Sequence, residues 1–262
     1  MNNTCVVTFF YPGIENKINT FFTSLKNQSD KKFDLVIILN NKKKFDIPNN
    51  KFNILFIKMN KPIILSRFEM IKKIKKLNYS SIIFQDADDL MKFNRVEKCK
   101  KILKKYDVVV NDLDIFGKKY IKNYLSKRIK NNKIISLKDI IQYNFLGMSN
   151  TSMKKKCLDK TNIPINKKIK IFDWYFWTII LSKYKGIFTN KTSTKYYVNK
   201  KSSTCLPTPD NKKIYKKILS IKKLHHKVID ELIKNKRLKK IDLFNKSSIT
   251  VNNKYNFWWE KK

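Results

Sequence analysis

Three aspartates fall within four residues at Asp86-Ala87-Asp88-Asp89, directly after the apolar run Ser81 to Phe84. Acids this close repel one another unless a cation neutralises them. A hard divalent ion such as Mg²⁺ or Mn²⁺ takes one or two carboxylates together with substrate oxygens, and a diphosphate supplies such oxygens. The run before the acids reads as a buried strand. Ligands of open α/β sheets gather beyond the carboxyl ends of strands, so the acids stand where a site is expected. A solvated acidic turn or a helix start is the other reading of the same string, since Asp caps helices well. A calcium loop does not fit, because its glycine and distal Glu are missing. A phosphatase of the aspartyl-phosphate type wants its acids after the first strand and Thr or Val behind them, whereas Leu90 follows here.

The elements that must position these acids alternate along the first 110 residues. Cys5 to Phe10 reads as a strand that stops at Tyr11-Pro12-Gly13, a turn signal. Ile18, Phe21, Phe22 and Leu25 recur at helical spacing, Phe33 to Leu39 is a strand covered on both faces, and Phe52 to Ile57 is a third strand. Ile64 to Leu77 reads as a helix, Ser81 to Phe84 as a strand, Arg95 to Tyr106 as a helix and Asp107 to Asn111 as a strand. This alternation predicts an α/β sheet with helices on both faces. Farther on, a helix is expected over Ser136 to Tyr143, capped by Ser136 with Asp139 in its first turn. Another is expected over Phe172 to Tyr184, ended by Gly186, and two short strands over Ile187 to Thr189 and Ser193 to Val198. Pro207 and Pro209 mark a boundary, giving a domain over 1–208 and a basic helical extension over 209–262. In the extension Ile214, Ile218, Ile221, Leu224, Val228 and Leu232 keep to one face, with lysines elsewhere.

The 262 residues include 59 Lys and Arg against 20 Asp and Glu, a formal net charge of +39. With 42% hydrophobic and 13% aromatic residues the chain is no disordered basic tail. Such charge suggests a polyanion partner first. Yet only four of the basic residues are Arg (Arg67, Arg95, Arg128, Arg237), alanine occurs once and glycine four times. Lys, Asn and Ile have AT-rich codons, so a base bias written onto weakly constrained surface positions explains much of the charge. No zinc-finger, P-loop or RNP-like sequence is present, and no nucleic-acid partner is expected. Cys5, Cys99, Cys157 and Cys205 are scattered and the two histidines, His225 and His226, are adjacent, which gives no zinc spacing. Four free thiols suit a reducing, cytoplasmic compartment. Met1-Asn2-Asn3-Thr4 does not read as a signal peptide, and no apolar stretch approaches the ~18 residues that span a bilayer.

Four segments, in order, resemble a family 2 glycosyltransferase of the GT-A fold. Ser24-Leu25-Lys26-Asn27-Gln28-Ser29 with Phe33-Asp34-Leu35-Val36-Ile37-Ile38 is similar to that family's "SLLNQ…FEIIIV" opening. Phe84-Gln85-Asp86-Ala87-Asp88-Asp89, followed by Asn94-Arg95-Val96-Glu97, resembles its "FLDxDD…R.E" element. Asn144 to Asn150 resembles the acceptor-side loop, and Phe172-Asp173-Trp174-Tyr175-Phe176-Trp177 resembles "EDxxLW". The likeness spans roughly residues 4 to 205.

The resemblance implies a metal-dependent, inverting transferase that moves a sugar from a nucleotide-sugar donor to a hydroxyl of a glycan or lipid-linked acceptor. Asp88, with Asp86, would hold Mn²⁺ or Mg²⁺ against the donor diphosphate, and Asp89 belongs to the same donor-binding element. Asp173 would be the general base, or else the cap of its helix; Phe172, Trp174 and Trp177 would raise its pKa by desolvation. Asn40 stands where the family has an acid that contacts the nucleobase. Tyr11 either flanks that base or belongs to the core or a lid. Arg67, a scarce residue here, suits a phosphate or a surface ion pair equally. Where relatives carry a "YRxH" element this chain has Tyr196-Tyr197-Val198-Asn199-Lys200, so Lys200 or Lys201 is left to supply positive charge. A nucleotidyltransferase on a similar sheet is the alternative enzyme, weakened because the first loop holds only Gly13; a basic nucleic-acid-binding protein is a third class. The C-terminal helix either lies on an anionic membrane surface as a peripheral contact or packs on the domain, and Trp258-Trp259 suits both roles.

Overall fold

The computed structural model describes residues 2–40, 45–117, 120–198 and 212–235. In chain order the elements are β1 (Thr4–Phe10), α1 (Glu15–Lys26), β2 (Asp34–Leu39), β3 (Ile54–Lys58), α2 (Ile63–Lys75), β4 (Ser81–Phe84), β5 (Leu90–Met91) and α3 (Arg95–Leu103). They continue with β6 (Val108–Gly117), β7 (Ile134–Ile135), α4 (Leu137–Ile140), β8 (Thr151–Lys154), α5 (Lys155–Asp159), α6 (Phe172–Leu181), β9 (Gly186–Val198) and α7 (Lys212–Lys234). The sheet runs β3-β2-β1-β4-β8-β6-β9-β5, with β7 paired to β9. Strands β1 to β4 are parallel, β8 is antiparallel to both β4 and β6, and β6 runs parallel to β9. The carboxyl ends of β1, β2, β4, β6 and β9 therefore share one edge.

Strand alternation divides the apolar residues between the two faces. Val7, Phe9, Val36, Ile38, Ile82 and Phe84 face one way and pack with Phe68 and Ile71 of α2 and Trp174, Phe176 and Trp177 of α6. Val6, Phe10, Leu35, Ile37 and Ile83 face the other way, onto α1 and α3. The α/β expectation holds, with helices on both faces. Gln28, just beyond α1, donates to the carbonyls of Ser24 and Lys92 and accepts from the Val96 N–H, so it fixes where α3 begins.

Three expectations change. Gly186 does not end the helix: α6 stops at Leu181 with Ser182 as its cap, and Gly186 opens β9, where a Cβ would meet Val108 at ordinary contact distance. The two short strands near 187–198 are one strand, β9, kept whole across a register shift between Asn111 and Asp112. Asp173 is no helix cap; the cap of α6 is Ile171 and Asp173 lies in the first turn. Ser136 does start its helix, with Asp139 Oδ2 accepting from the Ser136 N–H and hydroxyl, both at 2.9 Å.

Within α7, Ile218, Val228, Ile229 and Leu232 are buried in the same core as Trp174. His225 stacks on the Trp174 ring, centroids 3.8 Å apart, and Trp174 Nε1 donates to the Ile140 carbonyl. Lys222 is buried too, its ammonium 4.5 Å from the Tyr143 ring centroid, and burial pulls it down to about 8. The helix thus spends its apolar face on the domain. Cys205, Pro207, Pro209, Arg237 and Trp258-Trp259 lie outside the described residues; Cys5, Cys99 and Cys157 are buried free thiols. No described helix is long and apolar enough to cross a membrane. Replacing Ile229, wholly buried, by Ala is expected to cost about 2–4 kcal/mol of unfolding free energy in urea without lipid; an unchanged midpoint would mean that α7 does not pack on the domain.

Candidate active site

β4 ends at Phe84 and the next five residues turn through the sheet edge, with the Asp89 N–H donating to the Asp86 carbonyl at 3.2 Å. Asp86 is partly exposed. Its Oδ1 accepts from Arg67 Nη2 at 3.1 Å and its Oδ2 from Ser149 Oγ at 3.2 Å, while its own N–H donates to Ser149 Oγ at 2.9 Å. Asp88 accepts from the Tyr11 hydroxyl; burial and the Asp86 charge raise its pKa, with Tyr11 and Arg67 opposing. The Tyr11 hydroxyl is pushed up in turn, by burial first and then by Asp88 and Asp86.

Asp89 plays a different part. It is 1% exposed, and its Oδ1 accepts from the Tyr197 N–H at 2.6 Å, so it clamps β9 from behind. Burial together with Asp88 and Asp86 holds its pKa well up, with the hydrogen bonds from Ser149 and the Tyr197 N–H opposing.

Arg67 projects from α2 with its guanidinium carbon 4.7 Å above the Phe9 ring centroid. The charges of Asp86 and Asp173 both act on it and, against its burial, keep it more firmly protonated. Asp173 is partly exposed, and its carboxylate accepts the Met148 N–H. Burial, the largest cause, raises its pKa to about 6; Arg67 opposes the shift and Asp86 adds to it. The loop before β8 joins the two acids: Met148 serves Asp173, Ser149 serves Asp86, and Asn150 shapes the turn by accepting from the Gly147 N–H and donating to the Phe145 carbonyl. Asn40 stands slightly apart. It accepts the hydroxyl of Ser66, the residue before Arg67, and so braces α2 against the end of β2.

One residue outside the expected site underlies all of this. Arg95 is completely buried, donating to Asn111 Oδ1 at 2.8 Å, Gln85 Oε1 at 2.6 Å and the Phe84 carbonyl at 2.9 Å. Burial lowers its pKa while Asp89 and Asp86 counter that. Its place in the "R.E" segment and the scarcity of arginine were the signals available; neither tells a buried cation from a surface one.

Solved structures share this fold at low sequence identity. The chain has the GT-A glycosyltransferase fold. It is similar to S. aureus TarS 1-349 in complex with UDP-GlcNAc, with a TM-score of 0.60 at 14% identity, covering 84% of this chain and 65% of that one. For TarS 1-349 in complex with UDP the TM-score is 0.59 at 13% identity, over 95% and 74% of the two chains. GalNAc-T7 with UDP, GalNAc and Mn²⁺ gives 0.53 at 11% identity, over 76% and 44%. No family model and no curated protein matches the chain. In this GT-A chain Tyr11, Arg67, Asp86, Asp88 and Asp173 come together at one edge, Asn40 is tied in through Ser66, and Asp89 lies behind. Lys200 and Lys201 lie outside the described residues.

An acid raised to about 6 by folding costs stability wherever the unfolded chain would ionise it near 4. The cost sets in as pH climbs from about 4 to about 6. Asp173→Asn is therefore expected to exceed the parent in stability at pH 7.5 by about 2–3 kcal/mol, and to lose that advantage at pH 4. Denaturant titrations at the two pH values check this.

Proposed function

We propose that the chain is a family 2 type glycosyltransferase that transfers a sugar, with inversion, from a nucleotide-sugar to an acceptor hydroxyl. The observation that carries the reading is the shared guanidinium: Arg67 lies under the charges of both Asp86, at the acidic turn, and Asp173, at the head of α6. A donor-binding acid and a carboxylate with its pKa near operating pH thus belong to one site, on a fold shared with proteins solved with UDP and UDP-GlcNAc. A UDP-sugar is accordingly the first donor to test.

Asp173 would take the proton of the attacking acceptor hydroxyl, and a base near pH 6 to 7 is well matched to that task. The Met148 N–H orients the carboxylate, and Arg67 stabilises its charged form. At the other end Arg67 offers charge to the departing diphosphate, which is electrostatic stabilisation of a developing anion. The donor set also fits a hard divalent cation. Four carboxylates (Asp86, Asp88, Asp89, Asp173) meet the guanidiniums of Arg67 and Arg95, so their formal charges are not balanced by the two. No three ligating side chains converge among the described residues. Asp86 and Asp88 would therefore contribute one or two carboxylates and the diphosphate the remaining oxygens, as for Mg²⁺. Such an ion supplies Lewis-acid neutralisation of the leaving phosphates when bound.

Incubation with a UDP-sugar panel, reading UDP release and sugar transfer, is expected to show Asp173→Asn slowed by about 10²–10⁴-fold with UDP binding retained. The wild-type rate should climb as pH rises through about 6, where Asp173 loses its proton. Asp88→Asn should abolish transfer without unfolding the chain. Undiminished transfer by both variants would refute the assignment.

A further inference from the structure

Asp173 stands between two aromatic neighbours, and each is held from a different helix. On one side the Phe172 ring meets Phe68 edge-on, centroids 5.2 Å apart, and Phe68 follows Arg67 on α2. On the other side Trp174 is gripped from two directions. Its Nε1 donates to the Ile140 carbonyl at 2.7 Å, and its ring lies flat on His225, with 3.8 Å between centroids and 11° between planes. The first contact ties Asp173 to the helix whose guanidinium acts on it. The second ties it to α7, a helix that carries none of the site residues. His226 fastens α7 at the same place, its Nε2 donating to the Ile141 carbonyl at 3.2 Å.

The stack is unlike the rest of the packing of α7. Ile218, Val228, Ile229 and Leu232 bury aliphatic side chains, as the inner face of an amphipathic helix does. His225 instead carries ring nitrogens into that core, and its Nε2 has no hydrogen-bond partner among the described residues. Burying an unpaired polar atom is costly. An aliphatic residue would fill the space without that cost, so filling space does not account for the ring. Burial, with His226 beside it, keeps the imidazole uncharged. What it gives Trp174 is a neutral flat face. A planar contact fixes the tilt of both rings, which non-directional aliphatic packing does not.

Holding the Trp174 ring holds the first turn of α6, because the indole is joined to the backbone one residue beyond Asp173. That turn has little freedom to spare. The Asp173 carboxylate must meet the Met148 N–H, and a Cβ added at Gly147 would lie 4.0 Å from its Oδ2. A roll of the helix head would break the first contact or press on the loop.

We propose that His225 is a positioning residue for Asp173: by stacking on Trp174 it fixes the head of α6, and α7 is thereby part of what holds the site together. The effect on turnover rests on the glycosyltransferase reading; the placement of the carboxylate does not.

The test follows the Asp173 carboxyl carbon by NMR in the full-length chain and, separately, sugar transfer from a UDP-sugar. His225→Ala removes the stack and lets water reach the head of α6. Burial is the largest cause of the raised Asp173 pKa, so the titration is expected to fall from about 6 by about half a pH unit or more, toward the ordinary carboxylate range. Turnover should drop about tenfold or more, as it does when a catalytic group is slightly misplaced, with UDP affinity within about twofold of the parent. His225→Phe restores a flat ring and should return both readings toward the parent. Leu232→Ala cuts buried apolar contact two turns along α7, about 10 Å away, and should leave both unmoved. If His225→Ala does not fold, His225→Gln, which keeps most of the volume without a ring, is read in its place with the same outcome expected. An Asp173 titration indifferent to loss of the ring, an equal shift in Leu232→Ala, or no recovery in His225→Phe would overturn the proposal. A wild type that transfers no sugar would count against the glycosyltransferase reading alone, since the NMR titration needs no turnover.

Discussion

Four carboxylates crowd the carboxyl edge of the sheet, and the site depends on the two guanidiniums set among them. Arg95 stands behind, with no solvent contact, and Arg67 stands in front, partly open. Buried charge is tolerated only where partners replace water. Arg95 satisfies that condition by knitting Phe84 and Gln85 at the end of β4 to Asn111 of β6. The acidic turn can then leave β4 at a fixed angle, with Asp89 turned back to β9 and Asp86 and Asp88 turned outward. Much of the surrounding architecture serves this arrangement: Gln28 sets the start of α3 and hence the placement of Arg95, and Ser66 with Asn40 seats the helix that carries Arg67.

The front of the site inherits its chemistry from the same balance. Arg67 holds Asp86 by an ion pair and restrains the rise of Asp173, whose burial alone would push it higher. One cation therefore joins the acidic turn of the sheet to the head of α6, and the Met148-Ser149 loop makes the same connection through hydrogen bonds. A carboxylate poised between protonation states beside a guanidinium and an acidic turn is what the proposed glycosyl transfer asks of a protein, and the GT-A likeness supplies the fold on which that reading stands.

The parts of this that could be read from the sequence are those whose cause is local. β4 matched because its apolar run ends at three acids, and α1 because Ile18, Phe21, Phe22 and Leu25 repeat at helical spacing. Asp173 was found through its resemblance to a motif and Arg67 through that and the scarcity of arginine. What escaped depended on contacts far apart in the chain. Nothing in the neighbourhood of Arg95 reveals that residues 84, 85, 111 and 151 will surround it, and Asp89 looked equivalent to Asp86 until β9 closed over it. Glycine favours the end of a helix, yet at Gly186 strand pairing with Val108 decides the conformation. Lys222 shows the same limit from the other side, a lysine assigned to water by its type and buried over Tyr143 by its neighbours.

The coupling through Arg67 can be measured directly by following the Asp173 carboxyl carbon by NMR across a pH titration, in the wild type and in Arg67→Met. The wild-type group should titrate near 6, and loss of the guanidinium should move it upward, because burial and Asp86 then act unopposed. A titration unchanged by the substitution, or one shifted downward, would contradict the claim that the acid cluster and Asp173 form a single electrostatic unit.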